Sequence, residues 1–400
     1  MSDSPIRHVT RWLHVWAVAT AIATLVLLGL GQLVTSFQAG MADPIWPTEP
    51  WYLFMIDWQE PSRGYLIEHT HRIVAFSVGG MVSVLALGLW WTDPNRATRW
   101  AGLASLIVLL AGFGQFHGGL IAQRNVPTAE IRLPVAGTVV TLAGLGSALA
   151  LATAGLVLRA HGSLLRFLGA MALFGVMIQG LFGGFRVMLN ELVGTDLATV
   201  HGIFAQVIFC LLIAIAVLTE SRQASRRSHA RILDRGAVLL AVVLFTQIVL
   251  GAFVRHSPTT LTQRLHFLMA FVATGFSVWL LFGLAGHPAA RERVRSASWW
   301  LGLFLALQVV LGVEAWMAKF GQYTLPDLVR ITTEYAVIRT AHALIGSCFL
   351  ATAVLIALRL CRPSGAPIAT PDTTDSRWSE TGRYEGRGAS VSSGVLGDVP

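Results

Sequence analysis

The sequence predicts an all-α polytopic membrane protein with about ten transmembrane helices. Of its 400 residues, 54% are hydrophobic and only 12% are charged, whereas soluble domains carry about 25% charged residues. The apolar residues form runs of about 20, the length that crosses the hydrocarbon core. Arginines gather in the short connections between these runs, which is typical of membrane topology. We therefore expect contact with membrane lipid and no nucleic-acid partner, despite a net charge of +8.

Ten apolar segments are long enough to be these helices. They cover residues 13–35, 66–91, 100–121, 134–157, 166–188, 197–218, 236–255, 263–285, 298–318 and 335–359. The first lacks a small-residue cleavage site, so we expect a retained helix and not a signal peptide. The tail, 363–400, is rich in Pro, Gly, Ser and Thr, which predicts a disordered cytoplasmic extension.

The charges of the connections predict an orientation. Most basic residues, including the arginine-rich run 222–235, lie in one set of alternating connections, and the acidic loop residues gather in the other set. Because basic loops stay in the cytoplasm, both termini are expected there. We expect an integral protein of a bacterial cytoplasmic membrane.

Four histidines share one depth in this topology. His71, His201 and His266 each fall in the first turns of a helix that enters from the outer side, and His342 lies about one turn deeper. Neutral imidazole is a common axial ligand of haem iron, and facing helices can hold a cofactor between them. We therefore predict metal ligation by all four. The alternative is four core histidines that happen to be level.

A partial internal repeat assigns these histidines to two units. The pattern Gln-x-x-Leu/Phe-Gly occurs at 179–183, 247–251 and 308–312, and LGQLVTS at 30–36 resembles LGAFVRHS at 250–257. Each match precedes a helix that carries one of the histidines. The sequence thus predicts two pseudo-symmetric four-helix bundles, each with a histidine on its second and fourth helices.

An inserted helix pair completes the predicted organisation. The spacing from His71 to His201 exceeds that from His266 to His342 by 54 residues, which two membrane helices with their connections would fill. We predict an N-terminal bundle over 1–235, with the insertion at 97–160, and a C-terminal bundle over 236–362. His117, in GQFHGG within the insertion, is a rival ligand, for which we favour a structural role.

Charged residues accompany the histidines. Glu68 lies three positions before His71 and four positions before Arg72. Residues at these spacings lie on one face of a helix, so we expect the three side chains to point the same way. A second acid, Glu334, fits an ordinary interfacial carboxylate. Guanidinium groups suit carboxylates such as haem propionates, although the same residues could be interfacial anchors. The candidates at the outer helix ends are Arg72, Arg186, Arg255, Arg264 and Arg339.

An ordered set of motifs resembles heme A synthase, the CtaA-type family. The set consists of GQLVTSFQAGMADPIWP, Glu-x-x-His-Arg at 68–72, QGLFGGFRV before the His201 helix, QIVLGAFVRHS before the His266 helix, and Arg-Thr-Ala-His at 339–342. The match runs from about residue 15 to 360, with the presumed insertion as its interruption. Many bacterial members carry a cysteine pair in the first outer loop, but Ala42 stands near the expected position of its first member.

The resemblance implies oxidation of the C8 methyl group of heme O to the formyl group of heme A, for cytochrome oxidase assembly. It implies heme b in the C-terminal half, held by His266 and His342, and we expect Arg264 and Arg339 to contact it. The N-terminal half would bind heme O between His71 and His201 near Arg72, with Glu68 as the catalytic carboxylate. The partners implied are a heme O synthase and cytochrome oxidase assembly factors.

Two other functions compete with this interpretation. A di-haem b-type membrane electron-transfer protein would need the same histidine pairs, but not a carboxylate beside one ring. A transporter would place its polar residues near the middle of the membrane. In this sequence the polar residues lie at the outer helix ends, which argues against transport.

Overall fold

The computed structural model describes residues 5–43, 45–46, 62–127, 130–160, 162–189, 196–220, 231–320 and 332–361. Within this part of the chain the backbone forms ten α-helices, and each is long and apolar enough to cross a membrane. They are α1 (Pro5–Ser36), α2 (Arg63–Trp91), α3 (Arg96–Ile121), α4 (Val135–Val157), α5 (Ser163–Met188), α6 (Asp196–Thr219), α7 (Arg231–His256), α8 (Thr260–Ala285), α9 (Pro288–Phe320) and α10 (Thr333–Cys361). The predicted all-α polytopic membrane fold is confirmed. The tail 363–400 and the loop residues 47–61 lie outside the described ranges.

All of the observed helices except α4 begin earlier than the apolar runs suggest, most clearly α9. Its start at Pro288 precedes the predicted start at 298, because a polar first segment rich in arginine joins the apolar span. Val294 has non-helical dihedral angles there (φ −128°, ψ 19°) and marks a kink between the two. Hydropathy finds the span but not a polar helical extension outside it.

The N-terminal bundle is a closed ring of four helices. In it α1 packs on α2, α2 on α5, α5 on α6, and α6 on α1. His71 belongs to α2 and His201 to α6, so the two histidines stand on diagonally opposite helices of the ring. A ligand between them would therefore lie across the bundle interior.

The C-terminal bundle repeats this arrangement. Helix α7 packs on α8, α8 on α9, α9 on α10, and α10 on α7. His266 on α8 and His342 on α10 again stand on opposite helices. The second and fourth helix of each ring thus carry the histidines, as the sequence repeat indicates.

The helices α3 and α4 form a hairpin that is attached to the outside of the N-terminal ring, where α3 contacts α2 and α4 contacts α5. The two helices of the hairpin approach to backbone contact. Gly112 faces the Thr141 backbone, Gly137 faces Phe116, and a Cβ atom at either glycine would overlap the opposite chain. Small residues permit such close packing in membranes.

Buried polar contacts join the two rings. The Arg255 guanidinium of α7 donates to the side chain and carbonyl of Gln32 and to the hydroxyl of Ser36, both on α1. Ser36 also exchanges a hydrogen bond of 2.9 Å with Thr340 on α10. Hydrogen bonds between membrane helices contribute about 0.6 kcal/mol each on average. Arg255 thus ties the histidine-bearing ends of the two bundles together.

Side chains fill the two halves of each bundle unequally. The large buried residues of the C-terminal ring, such as Leu240, Leu280 and Leu301, lie in the half distant from the histidines. In the half that carries His266 and His342, none of residues 245–272 or 302–317 is buried. The same holds in the N-terminal ring for 70–77, 178–183 and 200–205. In both rings the residues at the histidine level are therefore less buried than those in the other half.

Candidate functional site

The His266 and His342 rings face each other across the C-terminal bundle. Their centroids are 6.5 Å apart and their planes are nearly perpendicular, at 85°. Two metal–imidazole bonds of about 2 Å each, plus about 1 Å from each nitrogen to its ring centre, come to about 6 Å. The distance between the two ring centroids therefore fits one metal ion between the rings.

The His71 and His201 rings lie in corresponding places of the N-terminal bundle, and they are close enough to interact electrostatically. The rival candidate His117 lies elsewhere. Its ring meets the edge of Trp46 at 6.2 Å between centroids and 82° between planes. The structure therefore brings His71 together with His201, and it places His117 against an aromatic residue of the outer loop.

Each histidine packs against a glycine of the helix that precedes it in the chain. A Cβ atom at Gly31, Gly183, Gly251 or Gly312 would lie only 3.1–3.4 Å from Cε1 of the facing imidazole. The facing pairs, in order, are Gly31 with His71, Gly183 with His201, Gly251 with His266, and Gly312 with His342. These contacts are tighter than ordinary carbon–carbon packing at about 3.5–4.0 Å. Glycine is thus the residue that lets all four rings lie flush on the neighbouring helix.

One nitrogen of each ring lacks a hydrogen bond. The Nδ1 atoms of His71, His201, His266 and His342 are all buried without a hydrogen-bond partner. For three of the rings, a backbone carbonyl lies nearby, one turn before the facing glycine. These carbonyls belong to Leu27 near His71, Gln179 near His201, and Gln247 near His266. Metal-ligating histidines commonly donate their second N–H to such a carbonyl. A small ring rotation on metal binding would complete that bond.

The repeated glycine–histidine contact predicts the effect of an added methyl group. We expect Gly312→Ala to displace the His342 ring by a few tenths of an ångström, since the new Cβ would lie 3.1 Å from Cε1. A misplaced ligand of this kind lowers metal affinity about 10–100-fold. The measurement is the haem content of the purified protein by its reduced absorption spectrum.

A matched control for this change exists on the same helix. A Cβ atom at Gly302 would meet Leu281 at an ordinary 3.8 Å. Gly302→Ala should leave haem content unchanged, since alanine is the better helix former. Equal haem content in Gly312→Ala and Gly302→Ala would show that the glycine does not position His342.

A buried polar cluster fixes the outer loop to the start of α2. The Glu68 carboxylate accepts 2.8 Å and 2.9 Å hydrogen bonds from the Asp43 backbone N–H and the Arg72 guanidinium. Arg72 also donates to the carbonyls of Asp43 and Ile45. Asp43, fully buried, pairs with His69 at 3.0 Å and with Arg72 at 3.4 Å. Asp43 and Ile45 of the loop are thereby held against the helix that carries His71.

Sequence reasoning missed two members of this cluster. The sequence patterns single out neither Asp43 of the outer loop nor His69, which lies two positions before His71. Both side chains are fully buried, and the His69 ring stacks on Tyr65 at 5.1 Å. The available signal was an acidic residue before Pro-Ile-Trp-Pro together with the unusual run Glu-His-Thr-His. Nothing in the sequence alone says which histidine pairs with the loop.

Removal of the Asp43 carboxylate should destabilise the protein. Asp43→Ala would leave His69 and Arg72 buried without this partner, and breaking a buried ion pair from one side costs about 3–5 kcal/mol. We expect a lower thermal unfolding midpoint in detergent. Glu334→Ala is the control, because Glu334 is an exposed acid near the same end of the molecule. Identical midpoints for the two variants would contradict this account of the cluster.

The predicted arginines differ in their positions. Arg186 lies between the two N-terminal histidines and Glu68, with which it interacts electrostatically. Its guanidinium occupies the space above Gly40, and its Nε atom is buried without a hydrogen bond. Arg339 is partly buried near Arg255, whereas Arg264 is exposed. Arg186 is therefore near both N-terminal histidines, which the sequence alone does not predict.

Trp46 of the outer loop packs on the last turns of α5. Its indole lies directly on Gly184, where any side chain would overlap it, and it meets the edge of Phe185 at 5.9 Å. Gly184 is next to Gly183, the glycine beneath His201. The described part of the outer loop thus packs close to the ligand helix, while its remainder at 47–61 is outside the described residues.

The two imidazoles of each bundle fit a metal ion that is already coordinated by a cofactor. Within the described ranges there is no group of three or more His, Cys, Asp or Glu side chains able to hold a metal ion. No disulfide joins the three cysteines, all of which lie in the described ranges. Two facing imidazoles are, however, a complete protein contribution to a haem iron, because the porphyrin supplies the other ligands. Comparison with models of protein families, with curated proteins and with solved structures found no match.

Proposed function

We propose that each histidine pair binds the iron of one porphyrin, with His266 and His342 in one bundle and His71 and His201 in the other. The observation that carries this proposal is the 6.5 Å separation of the His266 and His342 rings. The glycines behind all four rings and the lower burial of the residues at their level support it. Bound haem would supply a redox-active iron whose potential the axial ligands tune.

We further propose that the protein is an oxidoreductase that converts heme O to heme A. In this proposal His266 and His342 hold a resident heme b, and His71 and His201 orient heme O as the substrate. Conversion of the methyl group and one water to the formyl group releases four protons and four electrons, so the reaction requires an external electron acceptor. The motif order and the position of Glu68 and Arg186 beside His71 support this assignment.

The residues around the N-terminal site have distinct parts in this proposal. Arg186 and Arg72 are the cations near the substrate's carboxylates, and Trp46 limits access of water from the loop side. Glu68 accepts a proton during methyl oxidation, which suits a carboxylate within reach of a reacting group. A heme O synthase would supply the substrate, and cytochrome oxidase assembly factors would receive the product.

A di-haem electron carrier is the second candidate, and one observation favours it. The two sites are built alike, with an equivalent glycine behind each histidine, whereas an enzyme would distinguish substrate from cofactor. Glu68 also has hydrogen-bond partners in the loop and on its own helix. The two candidates differ in which porphyrin the N-terminal site contains.

Extraction of the bound porphyrins tests the assignment. The protein is purified from membranes that contain a heme O source, extracted with acidified acetone, and the porphyrins are identified by mass. The enzyme predicts heme b together with heme O, its hydroxylated form or heme A. Two equivalents of heme b alone would favour the electron carrier, and protein without any porphyrin would overturn both proposals.

A further inference from the structure

An apolar groove opens on the membrane-facing side of the molecule, at the end opposite the histidines. It lies between α1, α2 and α3, and its volume is about 810 Å³. Ligand pockets in proteins measure about 300–1,000 Å³. Its walls include Trp12, Leu87, Trp91, Trp100, Leu103 and Ile107. We call this feature the hairpin groove, because α3 of the outer hairpin forms one wall.

Beside the hairpin groove, a buried tryptophan fills the contact between the hairpin and the bundle. Trp90 at the end of α2 is fully buried, and it inserts against Gly102 of α3, where a Cβ atom would overlap its ring. The next residue, Trp91, points outward and is 51% exposed. Trp90 thus acts as a spacer, and the surface beside it remains uncovered by protein in the described part of the chain.

The groove runs from the helix ends into the apolar part of the membrane. Trp91 is the last residue of α2, and Trp100 lies near the start of α3, with the two rings edge to face at 5.8 Å. The groove continues to Val84, about two turns deeper on α2, which is a depth of about 10 Å at 1.5 Å per residue. Tryptophan favours the membrane interface. The shape matches a hydrocarbon chain that descends from a headgroup at the interface.

Cationic side chains border the mouth of the groove. Arg96 is exposed and lies one turn before Trp100 on the same helix face. The Arg99 guanidinium lies 5.9 Å from the centre of the Trp91 ring, and its Nε donates to the Asp93 carbonyl. An apolar groove with two arginines at the interface is complementary to an anionic headgroup on an acyl chain.

We propose that the hairpin groove binds an anionic phospholipid, with an acyl chain between α1, α2 and α3 and the phosphate beside Arg96 and Arg99. The lipid fills the space between the hairpin and the N-terminal bundle. This site is separate from the histidine sites at the other end of the helices and does not depend on the proposed haem function.

Native mass spectrometry of the full chain tests this proposal, with vesicles of phosphatidylcholine and phosphatidylglycerol as the lipid source. We expect one phosphatidylglycerol to remain bound through purification. Ala104→Phe fills the groove and should reduce this adduct at least about tenfold. Ala150→Phe, at an exposed position of α4 away from the groove, should retain it. Arg96→Gln should lose the preference for phosphatidylglycerol over phosphatidylcholine, while Arg159→Gln, another exposed arginine, keeps it.

Equal lipid adducts in Ala104→Phe and Ala150→Phe would overturn the proposal, as would wild-type protein that carries neither lipid. A preference unchanged by Arg96→Gln would remove the headgroup contact and overturn the anionic assignment. An adduct with the mass of a porphyrin that disappears in Ala104→Phe would assign the groove to the haem substrate instead.

Discussion

His342→Ala is expected to abolish haem binding in the C-terminal bundle. The His342 ring stands 6.5 Å from the His266 ring, and removal of one ring leaves a single axial ligand. Mutation of a residue that only hydrogen-bonds a metal ligand lowers metal affinity about 10–100-fold. Loss of the ligand itself should lower haem affinity further. The measurement is the reduced spectrum and haem stoichiometry of the purified variant.

Several variants make this result specific. His266→Ala should give the same loss, because the pair acts as a unit. His287→Ala is the matched control, since His287 is exposed in the connection after α8 and its ring hydrogen-bonds the Gly283 carbonyl at 2.8 Å. If His342→Ala and His266→Ala both kept the wild-type spectrum and stoichiometry, neither residue would be a haem ligand.

Glu68→Gln is expected to fold and bind porphyrin but fail to make heme A. The glutamine oxygen can still accept the hydrogen bond from the Asp43 N–H, so the loop stays in place. The negative charge that Arg72 and Arg186 face is lost, and the amide cannot take a proton. Removal of a general base lowers a rate by about 10²–10⁴-fold. The ratio of heme O, its hydroxylated form and heme A in membranes reports the effect.

The control separates chemistry from folding. Glu334→Gln alters an exposed acid at the start of α10 and should give the wild-type ratio. A Glu68→Gln protein with normal porphyrin content and little heme A would support the catalytic role. If it made heme A at the wild-type rate, Glu68 would serve only to hold the loop, and the electron-carrier proposal would gain.

The sequence predicts much of the fold because hydropathy and repeat are local and regular. Ten runs of about 20 apolar residues correspond to ten helices, and the surplus of 54 residues corresponds to the hairpin α3–α4 outside the N-terminal ring. The level positions of the histidines follow from topology, since alternate helices enter from the same side. The pairing of the rings as haem ligands stays a prediction.

The contacts that the sequence does not reveal are those between distant, irregular segments. The repeat singles out Gly183, Gly251 and Gly312. Close helix packing alone would also explain these glycines, so the sequence does not show that each lies beneath an imidazole. The pairing of Asp43 with His69 depends on where the loop turns back, which no periodicity encodes. Similarly, Arg255 reaches Gln32 in the other bundle, a contact across 223 residues.

A cryo-electron microscopy map of the full protein, purified with its bound cofactors, tests the central claim most directly. The account predicts planar porphyrin density between His266 and His342, with both Nε2 atoms bound to the iron, and a second porphyrin site between His71 and His201. A map in which the His266 and His342 rings contact each other directly, or in which lipid fills the space between them, would contradict it.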